Sequence, residues 1–141
     1  MAQSNVRRGP FPVIAAEDLT GMKDRLVELT HSGGVARVRL PTTNTARNLF
    51  LLVDDGASGS SVTVAPLTRE QNLRVKAVGA GNPGDGLCLA DVATAADKGK
   101  VRAIPSANGT YRVFAVAEEA FADGGLALAR PNGPDSVTVS G

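Results

Sequence analysis

The residues able to do chemistry are few, and their spacing decides what each could do. Gly79-x-Gly81-x-x-Gly84 has the spacing of a dinucleotide-binding fingerprint, and it follows an alternating, strand-like run, Leu73-Arg74-Val75-Lys76-Ala77-Val78. Such a loop works because a helix begins there and its N-terminus holds the phosphates. Here Pro83, Gly84, Asp85 and Gly86 would break the first turn of that helix. The next strand, Val101 to Ile104, ends at Pro105 where an acid for the ribose hydroxyls should stand, and no β-α-β pattern repeats. The stretch reads as a glycine-rich bend between two strands, and a nucleotide-binding enzyme built on it ranks last among the possible functions.

Nucleophilic catalysis would have to use His31, the single histidine. The run "HSGG" at His31 to Gly34 is similar to an oxyanion-hole loop, and "GASGS" at Gly56 to Ser60 approaches a nucleophile elbow, but its fifth position is Ser60 where glycine is needed. Both stretches have the composition of hairpin turns. Asp54 and Asp55 are adjacent, and neighbours on an extended chain point opposite ways, which makes them a poor acid/base couple. One His and one Cys leave no zinc constellation, and no acid-rich calcium loop is present. Cys88 lies in an apolar run and reads as a small buried hydrophobe; alone, it can form no intrachain disulfide. Asn108-Gly109-Thr110 fits a glycosylation sequon, but Asn-Gly is also a favoured hairpin turn. The expectation is therefore no enzyme, no metal and no cofactor.

Composition narrows the class. The 141 residues fit one domain, and 43% of them are apolar, enough for a core without metals or disulfides. Aromatics reach only 4%, with no Trp and one Tyr. Fifteen Lys and Arg face fourteen Asp and Glu, and the pI is near 7.9, so no nucleic-acid partner is expected. The apolar stretch near the N-terminus is broken by Pro10 and Pro12 and runs into Glu17-Asp18, which argues against a signal peptide. No run approaches transmembrane length, so a soluble protein made in a reducing cytoplasm, with no membrane partner, is expected.

The elements are short strands divided by turn signals. "RLVEL" and "VARVRL" flank His31 to Gly34 as a hairpin; "NLFLLV" is continuously apolar, as for a strand buried on both faces; "SVTVA" and "LRVKAV" alternate. "GLCLADV", "KVRAI", "TYRVFAV", "LALAR" and "SVTVS" follow, the last two separated by Pro131-Asn132-Gly133-Pro134. About ten strands at this spacing predict an all-β sandwich or small barrel. Helix is confined to short turns, with candidates at Ala16 to Met22, Ala90 to Lys98 and Glu118 to Ala122, and no fixed-period repeat marks a solenoid. Residues 1–16 stand apart, with two prolines, two arginines and no acid. They read either as a disordered tail or as an extended arm that orders on a partner through Phe11, Val13 and Ile14. Residues 17–141 form the single β-rich domain.

From "DLTGMKDRLVEL" through "SVTVAPLTREQNLRVKAVGAGNPGD" and "GLCLADVATAADKGKVRAIPSANGTYRVFAVAEEAFADGGLALAR", the chain resembles the small capsid decoration, or cement, proteins of tailed phages. It departs from their pattern at "FAVAEEAF", where a strand-leading Gly is expected, and in the long stretch "PTTNTARNLFLLVDDGASGS". The resemblance implies a structural virion protein that binds the outside of an assembled icosahedral capsid. It would act as a homotrimer bridging neighbouring major capsid protein subunits, with Arg7, Arg8, Phe11, Pro12, Val13 and Ile14 contacting the shell. The alternative is a tail, fibre or surface-exposed carbohydrate-binding β module, disfavoured because sugar platforms use Trp or Tyr.

Overall fold

A computed structural model describes residues 9–140, and of residues 133–135 only the backbone. The chain is all-β. Ten strands run β1 (Phe11–Ala15), β2 (Leu26–Ser32), β3 (Val35–Arg39), β4 (Leu49–Asp54), β5 (Ser61–Pro66), β6 (Leu73–Lys76), β7 (Gly86–Leu89), β8 (Val101–Ala103), β9 (Gly109–Ala117) and β10 (Leu126–Val139). The helical candidates reduce to one 3-10 turn, Ala95–Asp97.

Strands β1 to β5 close into a barrel in the order β1-β3-β2-β4-β5, and β6 to β10 form a second sheet in the order β6-β10-β9-β7-β8. The two halves have the same topology. The antiparallel pairs β1–β5, β4–β5, β2–β4 and β2–β3 recur as β6–β10, β9–β10, β7–β9 and β7–β8. The parallel pair β1–β3 recurs as one parallel bridge, Ala77 to Val101. The loop hydrogen bonds match as well. Ala15 N–H to Ser60 O corresponds to Ala77 N–H to Gly125 O, Leu19 to Gly56 corresponds to Gly81 to Phe121, and Asp24 to Leu52 corresponds to Gly84 to Ala117. The fold is thus a duplicated five-strand unit, although no fixed-period repeat shows in the sequence.

Burial follows the pleat. In β5, Val62 and Val64 are buried inside the barrel with Val13, Ala15, Val27, Val38 and Leu52. In β4 the continuous apolar run serves two cores: Leu52 fills the barrel, while Leu49 and Leu51 turn outward onto Val75, Leu87 and Ala127 of the second sheet. Each such side chain removed from water contributes about 1.5–3 kcal/mol.

Two expectations are corrected here. Part of the anticipated N-terminal arm is a barrel strand: β1 pairs with Val62–Val64 on one side and with Arg37–Val38 on the other, burying Val13 and Ala15. Its period-2 pattern is masked in the sequence by Pro12, which occupies an exposed position in the strand. In addition, "LALAR" and "SVTVS" belong to one strand. Pro131 pairs with Ala115 and Asp135 with Val113, so β10 takes four steps where β9 takes two, and the expected Pro-Asn-Gly-Pro turn is a bulge.

Candidate interaction surface

The groups weighed for chemistry lie apart. His31 sits in the β2–β3 turn, where Gly33 and Gly34 have φ of 57° and 81° and the Gly34 N–H donates to His31 Nδ1 at 3.3 Å. The hydroxyl of Ser60 donates to Ala57 O at 2.6 Å inside its own turn. Asp55 accepts from the Gly21 N–H at 2.7 Å, closing one loop onto another. Cys88 is buried, and desolvation pushes its thiol up, offset in part by Arg102. Among the described residues no three of His, Cys, Asp and Glu gather closely enough to hold a metal ion. The glycine fingerprint bends the chain between β6 and β7: Gly79 has φ of 75° and Gly84 of 93°, Asp123 takes the Gly79 N–H at 2.8 Å, and Gly81 lies against the Phe121 ring. No helix follows it.

Of the expected contact residues, Arg7 and Arg8 lie outside the described residues. The other four divide by strand alternation. Phe11 and Val13 turn into the barrel, with Phe11 meeting Phe50 edge-on at 5.6 Å between ring centroids, whereas Pro12 and Ile14 stay on the outer face. There Ile14 pairs with Arg37 of β3, where the β1–β3 ladder begins, and Val35 lies on the same face of β3 two residues before Arg37. Val35 is 50% exposed.

The outer face of β3 carries two arginines in different circumstances. Arg39 Nε is 3.2 Å from Glu28 Oε1, a carboxylate that also accepts from the Thr42 N–H and hydroxyl. Arg37, two positions along the same face, has no ion pair among the described residues, and its Nε is buried without a hydrogen-bond partner. Beyond the Thr30–Arg37 pair the β2–β3 ribbon runs free of both neighbours, because the β2–β4 ladder stops at Glu28 and the β1–β3 ladder begins at Arg37. A fully exposed stretch, His31 to Ala36, forms its tip. Sequence reasoning had marked 31–34 as a turn and passed over Val35 and Arg37; the acid-free run between Glu28 and Asp54 was the available signal.

A second concave feature lies on β9 and β10, a recess of about 390 Å³ lined by Arg69, Val116, Glu118, Arg130, Pro131 and Asn132. Two of its charges pair with each other, Arg130 Nε lying 2.8 Å from Glu118 Oε2, while Arg69 contributes a third without an ion pair among the described residues. Tyr111, the lone tyrosine, is half-buried; it donates to Ala107 O at 2.9 Å and lies 5.9 Å below the Arg102 guanidinium, so it offers no open platform for a sugar.

No protein-family model and no curated protein matches the sequence. Among solved structures, the N base of head fiber gp8.5 of bacteriophage phi29 superposes with a TM-score of 0.65 at 20% identity, covering 87% of this chain and 92% of that one. The two chains share a fold. That fold contains both five-strand units, since a single unit would span only about half of either chain.

Proposed function

We propose that the protein is a structural component of a tailed-phage head, binding the outer surface of the assembled icosahedral capsid as a homotrimer and bridging neighbouring major capsid protein subunits. The observation that carries this reading is the fold shared along nearly the whole chain with the base of a phage head fiber. The decoration-protein pattern of the sequence supports it independently. The dispersal of His31, Ser60, Asp55 and Cys88 to separate turns and cores agrees with a protein that works by binding.

The physics of such a role asks for no chemistry. A ligand that binds the closed shell and not its free subunits stabilises the shell by mass action. A trimer turns three weak contacts into a strong one through effective concentration. The test uses the intact chain and capsids of the phage that encodes it. The protein is expected to co-sediment with capsids, to raise their disruption temperature, and to show a solution mass three times 14.4 kDa. Failure to co-sediment would overturn the reading, and a monomeric mass both free and on capsids would overturn the trimer.

A further inference from the structure

We infer that the outer face of β1 and β3, centred on Arg37 and flanked by Pro12, Ile14 and Val35, is the surface that meets the capsid, with Arg37 receiving a carboxylate of a major capsid protein subunit. This rests on the function proposed above and adds to it a location and a chemistry.

Three observations converge on this face. The first is charge: from Leu29 to Val53 the chain carries Arg37, Arg39 and Arg47 and no acid, and within that stretch Glu28 reaches back to neutralise Arg39 alone. Arg37 keeps an unmatched guanidinium whose Nε is already out of water without a partner. The terminal nitrogens of that guanidinium, which make no ion pair among the described residues, can donate to a carboxylate approaching from outside. The second is apolar surface. Val35 is the most exposed of the large apolar side chains among the described residues, and it shares the outer face with Pro12 and half-buried Ile14. An arginine ringed by apolar contacts that exclude water is the usual composition of a binding hot spot. The third is the ribbon beyond Thr30, which neither neighbouring strand covers. A two-stranded ribbon with open edges is marginal alone and invites a neighbour. In the second unit the corresponding β7–β8 connection is tied to the first unit, Arg25 donating to Ala96 O and Lys98 O and the Val92 N–H to Asn44 Oδ1, so the projecting ribbon is a difference between the two units.

The occupant is a protein carrying acids beside apolar residues. A second copy of this chain, whose Asp54 and Glu70 make no ion pair among the described residues, is the competing occupant, and the solution mass in the experiment below separates it from the capsid subunit that the proposed function supplies.

The experiment is quantitative co-sedimentation with capsids of the encoding phage, using wild type, Arg37→Glu, Val35→Asp and, as a control, Arg74→Glu, with thermal melting and solution mass recorded for each. The expected result is a loss of capsid affinity of tenfold or more for Arg37→Glu and for Val35→Asp, with unchanged mass, and no loss for Arg74→Glu. Val35→Asp keeps the test decisive if Arg37→Glu melts early, because Val35 lies at the exposed tip. Wild-type binding that Val35→Asp leaves intact, together with binding by folded Arg37→Glu, would overturn this inference and leave the proposed function standing. A change of solution mass in the two variants would overturn it in favour of a self-interface. Wild type that does not bind capsids would overturn both.

Discussion

Gly81 and Phe121 exchange roles with Leu19 and Gly56. In the first unit Leu19 is fully buried at the end of the barrel, and its N–H bonds to Gly56. In the second unit the bulky residue comes from the opposite loop: Phe121 is buried, and its ring lies where any Cβ on Gly81 would go. The central glycine of the apparent phosphate-binding motif is therefore required by a close approach to a ring. Gly81→Ala is expected to destabilise the protein by about 1–3 kcal/mol through overpacking, and Phe121→Ala by about 3–5 kcal/mol through cavity formation. The pair Gly81→Leu with Phe121→Gly, which copies the first unit, should cost clearly less than the sum of its single changes in urea unfolding; strict additivity would refute the equivalence of the two loops. Glu118 behaves differently, as a surface group. Hydrogen bonds from Arg130 and then Asn72 hold its carboxyl below the ordinary 4.5. A depressed folded value means that the stabilisation is present above about pH 4.5 and is lost as the pH falls through the lower folded value. The gap in urea midpoint between wild type and Glu118→Gln should accordingly be steady near neutrality and shrink below about pH 4.5; a gap that grew in acid would contradict the assignment.

At the scale of elements, legibility depended on whether the pattern lay within one strand or between strands. "SVTVA" gave β5 because Val62 and Val64 alternate with solvent-side residues, and "NLFLLV" gave a strand buried on both faces because Leu52 and Leu51 do enter different cores. β1 was missed because Pro10 and Pro12 remove donors and dominate local preference, while the gain from burying Val13 and Ala15 exists only once β5 and β3 are in place. Pro131 to Pro134 likewise reads as a turn locally, yet β9 supplies a partner on both sides of it and the strand continues as a bulge. Of the contact residues anticipated in the N-terminal stretch, alternation puts Pro12 and Ile14 on the outer face and Phe11 and Val13 inside the barrel. Truncation tests the place of β1: removal of residues 1–15 takes it away, opens the barrel and should abolish cooperative melting. Cooperative melting of the shorter chain would show that β1 is dispensable.

At the scale of the whole molecule, the two units are joined by a shared core. Leu26, Leu49, Leu51 and Ala65 from the outside of the barrel pack with Val75, Leu87, Leu89 and Ala129 of the second sheet. The first unit can expose that apolar face only in the absence of the second, so the pair is expected to unfold in one transition, with calorimetric and van't Hoff enthalpies equal. Two resolved transitions would mean that each unit folds alone. Leu51→Ala, at 6% exposure in the shared core, should lower the midpoint of that single transition, with a cost of about 2–5 kcal/mol.

The sequence by itself determined the strand content, the turns at glycine, the burial of Cys88 and the double-sided character of β4, because each is set by neighbours within a few residues. Only the tertiary structure decided that the ten strands form one unit twice, that residues 11–15 of the supposed arm are a barrel wall, and that Arg37, without an ion pair among the described residues, shares an outer face with Pro12, Ile14 and Val35. Those facts depend on pairings between residues far apart in the chain. The contacts that reward them form only after closure, and two units can keep the same ladders and loop hydrogen bonds while sharing few side chains.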